Sequence, residues 1–279
     1  MDSLVTADWL SDHLDEPDLI ILDCSVYQVQ EEGGGFHNVS GRANYEIAHI
    51  PNAGFADLKG DLCDLNSSIE FDMPTPEHFC KVMGALGVGD HTRVVLYDTM
   101  YTAWAARVWW MLRWVGFDNV AILDGGMTAW EAAGYPIASK PINHLEQKLT
   151  PMVRPELIAD QNEVLAAIDD EQVLLIDTLP EAFFRGQMTL YARAGRIPTA
   201  TNTCGLDLLD DSGCYKSEQD LKALIQEDPT KRVITYCGGG IMASSNAFIM
   251  TRLGYKNVAV YTASLQEWAA DPAKPMEKD

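Results

Sequence analysis

The chain repeats itself, and the repeat limits what it can fold into. Residues 93–137 read RVVLYDTMYTAWAARVWWMLRWVGFDNVAILDGGMTAWEAAGYPI, and residues 232–276 read RVITYCGGGIMASSNAFIMTRLGYKNVAVYTASLQEWAADPAKPM. Each carries a strand, a loop, a helix, a Gly-aromatic pair, Asn-Val, a second strand and a helix with a tryptophan. Gly116-Phe117 answers Gly254-Tyr255, Asn119-Val120 answers Asn257-Val258, and Trp130 answers Trp268. Upstream, LIILDCS from Leu19 answers VLLIDTL from Val173, and AHIPNAGF from Ala48 answers GRIPTATN from Gly195. Apolar strands alternating with helices predict an α/β layer structure with a mostly parallel sheet in each copy. Wholly apolar runs such as Leu19-Ile20-Ile21-Leu22 fit sheets covered on both faces. The expected division is a domain over residues 1–140, a proline-bearing linker over 141–154 and a second domain over 155–279.

A chain of 279 residues, 47% of them hydrophobic, can bury two cores. The tryptophans Trp104, Trp109, Trp110 and Trp114 fall at helical spacings and are expected in core and domain-interface packing. A formal net charge of −21 opposes nucleic acid and anionic membranes as partners. The first residues, Met1-Asp2-Ser3-Leu4, have no basic region and no long apolar run, so no secretory signal is read there. No stretch approaches the roughly 18 apolar residues of a membrane span. The six cysteines form neither a CxxC pair nor a zinc spacing. Free thiols in a reducing, cytoplasmic compartment are expected, with no metal and no cofactor.

The two copies differ most at one loop. Val233-Ile234-Thr235-Tyr236 reads as a buried strand, and Ile241 to Leu253 as a helix stopped by Gly254. Between them lie Cys237 and the glycines Gly238, Gly239 and Gly240. Aligned strand to strand, the first copy has Asp98 for the cysteine and Thr99-Met100-Tyr101 for the glycines. A thiol and glycines that served only the fold would be needed in both copies. Their restriction to one copy points to chemistry at Cys237.

Only a few per cent of an ordinary cysteine is ionised at neutral pH. A helix N-terminus beside the sulfur and a glycine-rich nest of N–H groups both favour the thiolate. Glycine, lacking Cβ, also lets the backbone come close to a bound group. Other cysteine chemistries lack their partners. A phosphatase needs an arginine at the far end of the loop to clamp phosphate, and Ala243 stands there. A dithiol site needs a second cysteine where Gly240 stands. A hydrolase needs a histidine, and all six lie between His13 and His144, so sequence order gives no pairing. A thiolate held by backbone donors remains, suited to carrying a sulfur atom.

AHIPNAGFADL (48–58), LDGGMTAWEAAGYPI (123–137) and YCGGGIMAS (236–244), with the repeat, resemble the tandem rhodanese-type sulfurtransferases over nearly the whole chain. That resemblance implies two rhodanese-like domains, the first catalytically silent. It implies a catalytic Cys237 opening a persulfide-binding loop of Gly238, Gly239, Gly240, Ile241 and Met242. Arg185 in AFFRG matches the family arginine that grips the anionic end of the substrate. Arg193 and Arg196 are candidates for a second one, although the segment before GRIP departs from the family pattern. Asp57 matches an acidic residue placed near the thiol, beside the plain reading of a loop cap. Gly239 lacks the hydroxyl usual in mercaptopyruvate enzymes, and no basic residue follows the thiol as in many thiosulfate enzymes.

The expected activity is transfer of sulfane sulfur from a small anionic donor through a Cys237 persulfide to a thiol, cyanide or another nucleophile. 3-Mercaptopyruvate is favoured as donor because a distant arginine can hold its carboxylate, whereas thiosulfate calls for charge close to the thiol. Thiosulfate is the alternative donor. The reading from another class is a non-catalytic protein-interaction module.

Overall fold

A computed structural model describes residues 1–32 and 35–279. The first copy contains β1 (Leu4–Val5), α1 (Ala7–His13), β2 (Leu19–Asp23), β3 (Val26–Gln30), β4 (Phe36–Ser40), α2 (Arg42–Tyr45), β5 (Ala53–Phe55), α3 (Pro76–Ala85), β6 (Arg93–Tyr97), α4 (Ala103–Trp114), β7 (Val120–Leu123) and α5 (Gly126–Ala132). The second contains β8 (Ile158–Ala159), α6 (Gln161–Ala167), β9 (Val173–Asp177), α7 (Glu181–Phe184), β10 (Thr201–Asn202), α8 (Glu218–Leu224), β11 (Arg232–Tyr236), α9 (Ile241–Arg252), β12 (Val258–Tyr261) and α10 (Ser264–Trp268).

Each copy builds the expected sheet. The first has strand order β1-β7-β6-β2-β5, and the second has β8-β12-β11-β9-β10. Every pairing in both is parallel. β2 and β6, apolar apart from Asp23 and Arg93, each have a strand on both sides, as two-sided burial requires. The first copy adds an antiparallel hairpin of β3 and β4, which the repeat did not announce.

The repeated residues hold equivalent places. Trp130 and Trp268 are fully buried, and each indole N–H donates to a proline carbonyl, that of Pro136 (2.8 Å) and of Pro275 (2.9 Å). The tyrosines ending the central strands explain the repeated Ile-Pro. Tyr97 Oη accepts the N–H of Ile50 at 3.2 Å, and Tyr236 Oη accepts that of Ile197 at 3.1 Å. In each copy the strand-end tyrosine therefore fixes the turn entering the next strand. Trp104, Trp109, Trp110 and Trp114 are buried on α4.

The compact units do not follow the sequence division cleanly. One unit comprises Met1–Asn66, Met73–Arg154 and Asp211–Tyr215; the other comprises Ser67–Asp72, Pro155–Asp210 and Lys216–Asp279. Residues 141–154, read as a linker, pack along the first unit. Gln147, Met152 and Arg154 donate their N–H groups to the carbonyls of Gly84, Val115 and Trp114, at 2.8–2.9 Å. An irregular strand whose donors are met by tertiary partners has no period to read. Among the described residues no helix is long and apolar enough to cross a membrane.

Tyr97→Phe removes the acceptor of a buried N–H. It is expected to lower stability by about 1–3 kcal/mol, read from urea unfolding, without touching the Cys237 loop.

Candidate active site

Cys237 follows the last residue of β11 and is 3% exposed. Its surroundings are set by α10, the helix that follows α9 and β12 in the chain. The first N–H groups of that helix point at the loop: Leu265 donates to the Cys237 carbonyl (3.1 Å) and Gln266 to the Gly238 carbonyl (3.0 Å). The Cys237 N–H donates to Ser264 Oγ at 3.1 Å, and that hydroxyl donates to the Tyr261 carbonyl at 2.6 Å. Ser264 holds a left-handed backbone, φ 52°, costly for a residue with a Cβ and typical of functional sites. The equivalent Gly126 has φ 54° and no side chain to offer.

With its carbonyls held by α10, the loop turns its N–H groups elsewhere. Gly240 N–H donates to Cys237 Sγ at 3.1 Å. The N–H groups of Gly238, Gly239, Ile241, Met242 and Ala243 have no acceptor among the described residues. The last three are the orphan donors of the first turn of α9, at the positive end of its dipole. Gly240 turns the chain into α9 with φ 79°, where glycine carries no steric cost. The helix reading of Ile241 onwards holds. However, Ala243 through Met250 are all buried, so α9 shows no single apolar face.

Two glycines are required by neighbours that spacing along the chain does not pair with them. A Cβ on Gly238 would overlap the Tyr191 hydroxyl, and one on Gly239 would overlap Gln266 Nε2. Gln266 is itself fixed, its Oε1 accepting the Glu70 N–H at 2.9 Å. The place where a hydroxyl at Gly239 would stand is thus filled by a glutamine amide. Tyr191 and Gln266 also line a cleft of ≈ 620 Å³ in the second unit, bordered by Leu190, Glu267 and Asp271.

The first copy shows what such a loop does with an anion. Asp98, at the position of Cys237, places its own carboxylate in the cradle. Oδ1 accepts the N–H groups of Met100 (2.8 Å) and Thr102 (3.2 Å), and Oδ2 accepts that of Ala105 (2.9 Å). The loop alignment needs a correction. Five residues, 98–102, precede α4, but only four, 237–240, precede α9. The extra residue gives the carboxylate room to fold back, with Tyr101 and Thr102 both left-handed.

The remaining expected residues are placed as follows. Arg185, 46% exposed at its side chain, pairs with Glu181 (2.6 Å) and more loosely with Asp279 (3.6 Å). Arg196 lies over the Phe184 ring and pairs with Asp279 at 3.0 Å. Arg193 is engaged by the protein itself. Its guanidinium donates to the carbonyls of Trp268, Ala269, Asp271 and Lys274 at 2.6–2.9 Å, tying its segment to the end of α10. Asp57, in the first unit, caps the N–H of Lys59 (3.1 Å) and accepts the Ser40 hydroxyl (2.9 Å). None of the six cysteines forms a disulfide. Burial pushes Cys24 well up and Cys80 up to about 12, and raises Cys204, so these three stay protonated near neutral pH. Among the described residues no group of three or more His, Cys, Asp or Glu is placed to hold a metal ion.

The family model for the rhodanese-like domain matches residues 6–133 and 160–271. The chain belongs to the rhodanese family. It is 31% identical to a probable 3-mercaptopyruvate sulfurtransferase of Pseudomonas aeruginosa, over 98% of this chain and 97% of that protein. It is 33% identical to the mitochondrial thiosulfate/3-mercaptopyruvate sulfurtransferase 1 of Arabidopsis thaliana, over 98% of this chain and 78% of that one. The crystal structure of the 3-mercaptopyruvate sulfurtransferase SseA from Escherichia coli superimposes with a TM-score of 0.84 at 29% identity, covering 95% of this chain and 99% of that one. Each family match covers all of one sheet except its short edge strand, β1 or β8, and the second contains the Cys237 loop.

Burial raises the carboxyl of Asp98 to about 7, and likewise that of Asp177. In the unfolded chain an Asp titrates near 3.9. Between those values the folded state holds protons that the unfolded state has lost, so stability should fall as pH rises from about 4 to about 7. Asp98→Asn should flatten part of that slope, read from urea midpoints at pH 5 and pH 7.5.

Proposed function

We propose that this rhodanese is a sulfurtransferase in which Cys237 takes sulfur from a small anionic donor and passes it to a thiol, cyanide or another nucleophile. One observation carries the reading: Sγ sits in a loop whose Gly240 N–H already donates to it, while five further N–H groups have no acceptor. Such a ring of donors stabilises a thiolate before the reaction and a persulfide anion after it. A module that merely held a partner protein would have no use for unmatched donors around a buried thiol, which are costly to leave unpaired.

The favoured donor is 3-mercaptopyruvate. The loop from Gly238 to Met242 carries no charge, so a compact dianion such as thiosulfate finds no side-chain cation within it. Mercaptopyruvate separates its carboxylate from its sulfur by the length of the molecule, and Arg185 is the arginine free to meet it. Its pair with Glu181 is an exposed i,i+4 contact, of the kind that contributes little and exchanges readily. A bidentate guanidinium–carboxylate pair with the donor can replace it. Arg196 holds the C-terminal residues, and Arg193 frames the site from behind. Asp57 shapes its own loop in the first unit. Cysteines without disulfides suit a reducing, cytoplasmic setting.

The test is direct. Protein treated with donor and no acceptor should gain roughly 32 Da, the mass of one sulfur, placed by peptide mapping on Cys237; Cys237→Ser should neither gain it nor turn over. Mass on Cys204 or Cys214 instead would remove the assignment. Arg185→Ala should lower kcat/KM for mercaptopyruvate by roughly 30-fold, with Arg185→Lys recovering only part, since a point charge does not reproduce the planar fork.

A further inference from the structure

The thiolate cradle accounts for the cysteine but not for the group that leaves it. When mercaptopyruvate gives up its sulfur, the C–S electron pair passes to the pyruvate fragment as an enolate. That charge develops on the donor's former keto oxygen, away from Sγ. A site that speeds this step needs a fixed donor aimed at that oxygen.

We propose that the Tyr191 hydroxyl is that donor, touching the keto oxygen of the substrate and stabilising the enolate as sulfur moves to Cys237. The inference rests on the reading of mercaptopyruvate as the donor. Its first support is position. Tyr191 Oη lies against the Cα of Gly238, in the space that a side chain there would occupy, and Tyr191 lines the cleft beside the loop. Its second support is that the hydroxyl is uncommitted. Tyr191 Oη makes no hydrogen bond among the described residues. Four hydroxyls near the loop donate to protein carbonyls instead: Ser264 to the Tyr261 carbonyl, Ser244 to that of Gly240, Thr235 to that of Ala243, and Thr178 to that of Tyr236. Gly239 offers none.

The third support is that the segment is held. The Tyr191 N–H donates to Thr189 Oγ1 (3.0 Å), whose hydroxyl donates to the Tyr191 carbonyl (3.1 Å), and the ring packs on the second core. Two residues on, the guanidinium of Arg193 ties the same stretch to four carbonyls at the end of α10. The helix that positions the thiol loop through its first turn thus positions Tyr191 through its last. Burial, with the charge of Cys237 and of Asp177, pushes the phenol well above its ordinary range, so it stays protonated wherever the thiolate reacts and acts as a donor, not a base.

The step balances without an external oxidant. The Cys237 thiolate supplies the electron pair of the new S–S bond, and the C–S bond breaks with its pair leaving on carbon. The cysteine sulfur and the transferred sulfur are each oxidised by one electron, and the substrate carbon takes up the two. The donor's thiol proton remains on the hydropersulfide, and the enolate takes one proton from water at carbon to become pyruvate. Tyr191 keeps its own proton throughout.

The test is Tyr191→Phe in the full chain, which removes one hydroxyl that makes no protein hydrogen bond and so leaves the fold intact. With mercaptopyruvate, kcat should fall about 100- to 1,000-fold with KM nearly unchanged, the range of a lost transition-state donor. With thiosulfate, whose leaving sulfite carries its charge without forming an enolate, the loss should stay below about threefold. Alkylation of Cys237 by iodoacetamide should proceed at the wild-type rate. Unchanged mercaptopyruvate turnover in Tyr191→Phe, or an equal loss on both donors, overturns the role given to Tyr191. Failure of the wild-type protein to turn over mercaptopyruvate would instead overturn the donor reading beneath it.

Discussion

The hydrogen bonds from the start of α10 to the carbonyls of Cys237 and Gly238 are the contact on which the candidate site depends. A peptide group held by its carbonyl presents its N–H on the opposite side. Anchoring two successive carbonyls to one helix end therefore turns the N–H groups of Gly238 and Gly239 away from α10. The N-terminus of α9 adds its own orphan N–H groups to the same concavity. The site has two helix ends with different tasks: α10 spends its N–H groups on the protein, and α9 leaves its donors open. Ser264 shows that this arrangement has a steric cost, since its left-handed backbone persists while its hydroxyl receives the Cys237 N–H.

The first copy clarifies what the second one lacks. In both, the last helix meets the first loop carbonyl, through Met127 to Asp98 (3.0 Å) and Leu265 to Cys237 (3.1 Å). In the first, Asp98 fills the cradle with its own carboxylate and satisfies three donors. In the second, the shorter cysteine side chain engages one N–H and leaves the others unmatched. The same backbone design is occupied by a carboxyl group of its own in one copy and leaves N–H donors open in the other. One inserted residue and one side chain separate the two outcomes.

The glycines gain a more specific meaning from their neighbours. Flexibility explains only Gly240, whose positive φ the turn requires. Gly238 and Gly239 are small because a phenol and an amide occupy the space where their side chains would be. Arg193 changes role for a related reason. A basic residue in an acidic chain invites assignment to an anionic substrate, but this one neutralises the carbonyl end of α10, where a cation is favoured by the helix dipole.

The sequence by itself determined the two-domain α/β plan, the parallel sheets and the singular loop at Cys237. Those features are written in local period and in the comparison of one copy with the other: β-branched runs, Ile-Pro turns and a cysteine where its counterpart is an aspartate. It also indicated that the loop would favour an anion, since strand, glycines and helix are contiguous. Tertiary structure alone decided that residues 141–154 strap the first unit, that Ser264 receives the cysteine N–H, that Arg193 is consumed by carbonyls, and that Tyr191 and Gln266 shape the glycines. Each of these joins residues far apart in the chain, or depends on which way a side chain points once a helix end is fixed. Spacing and composition carry no record of such directions, because they arise only when both partners are buried against the same helix.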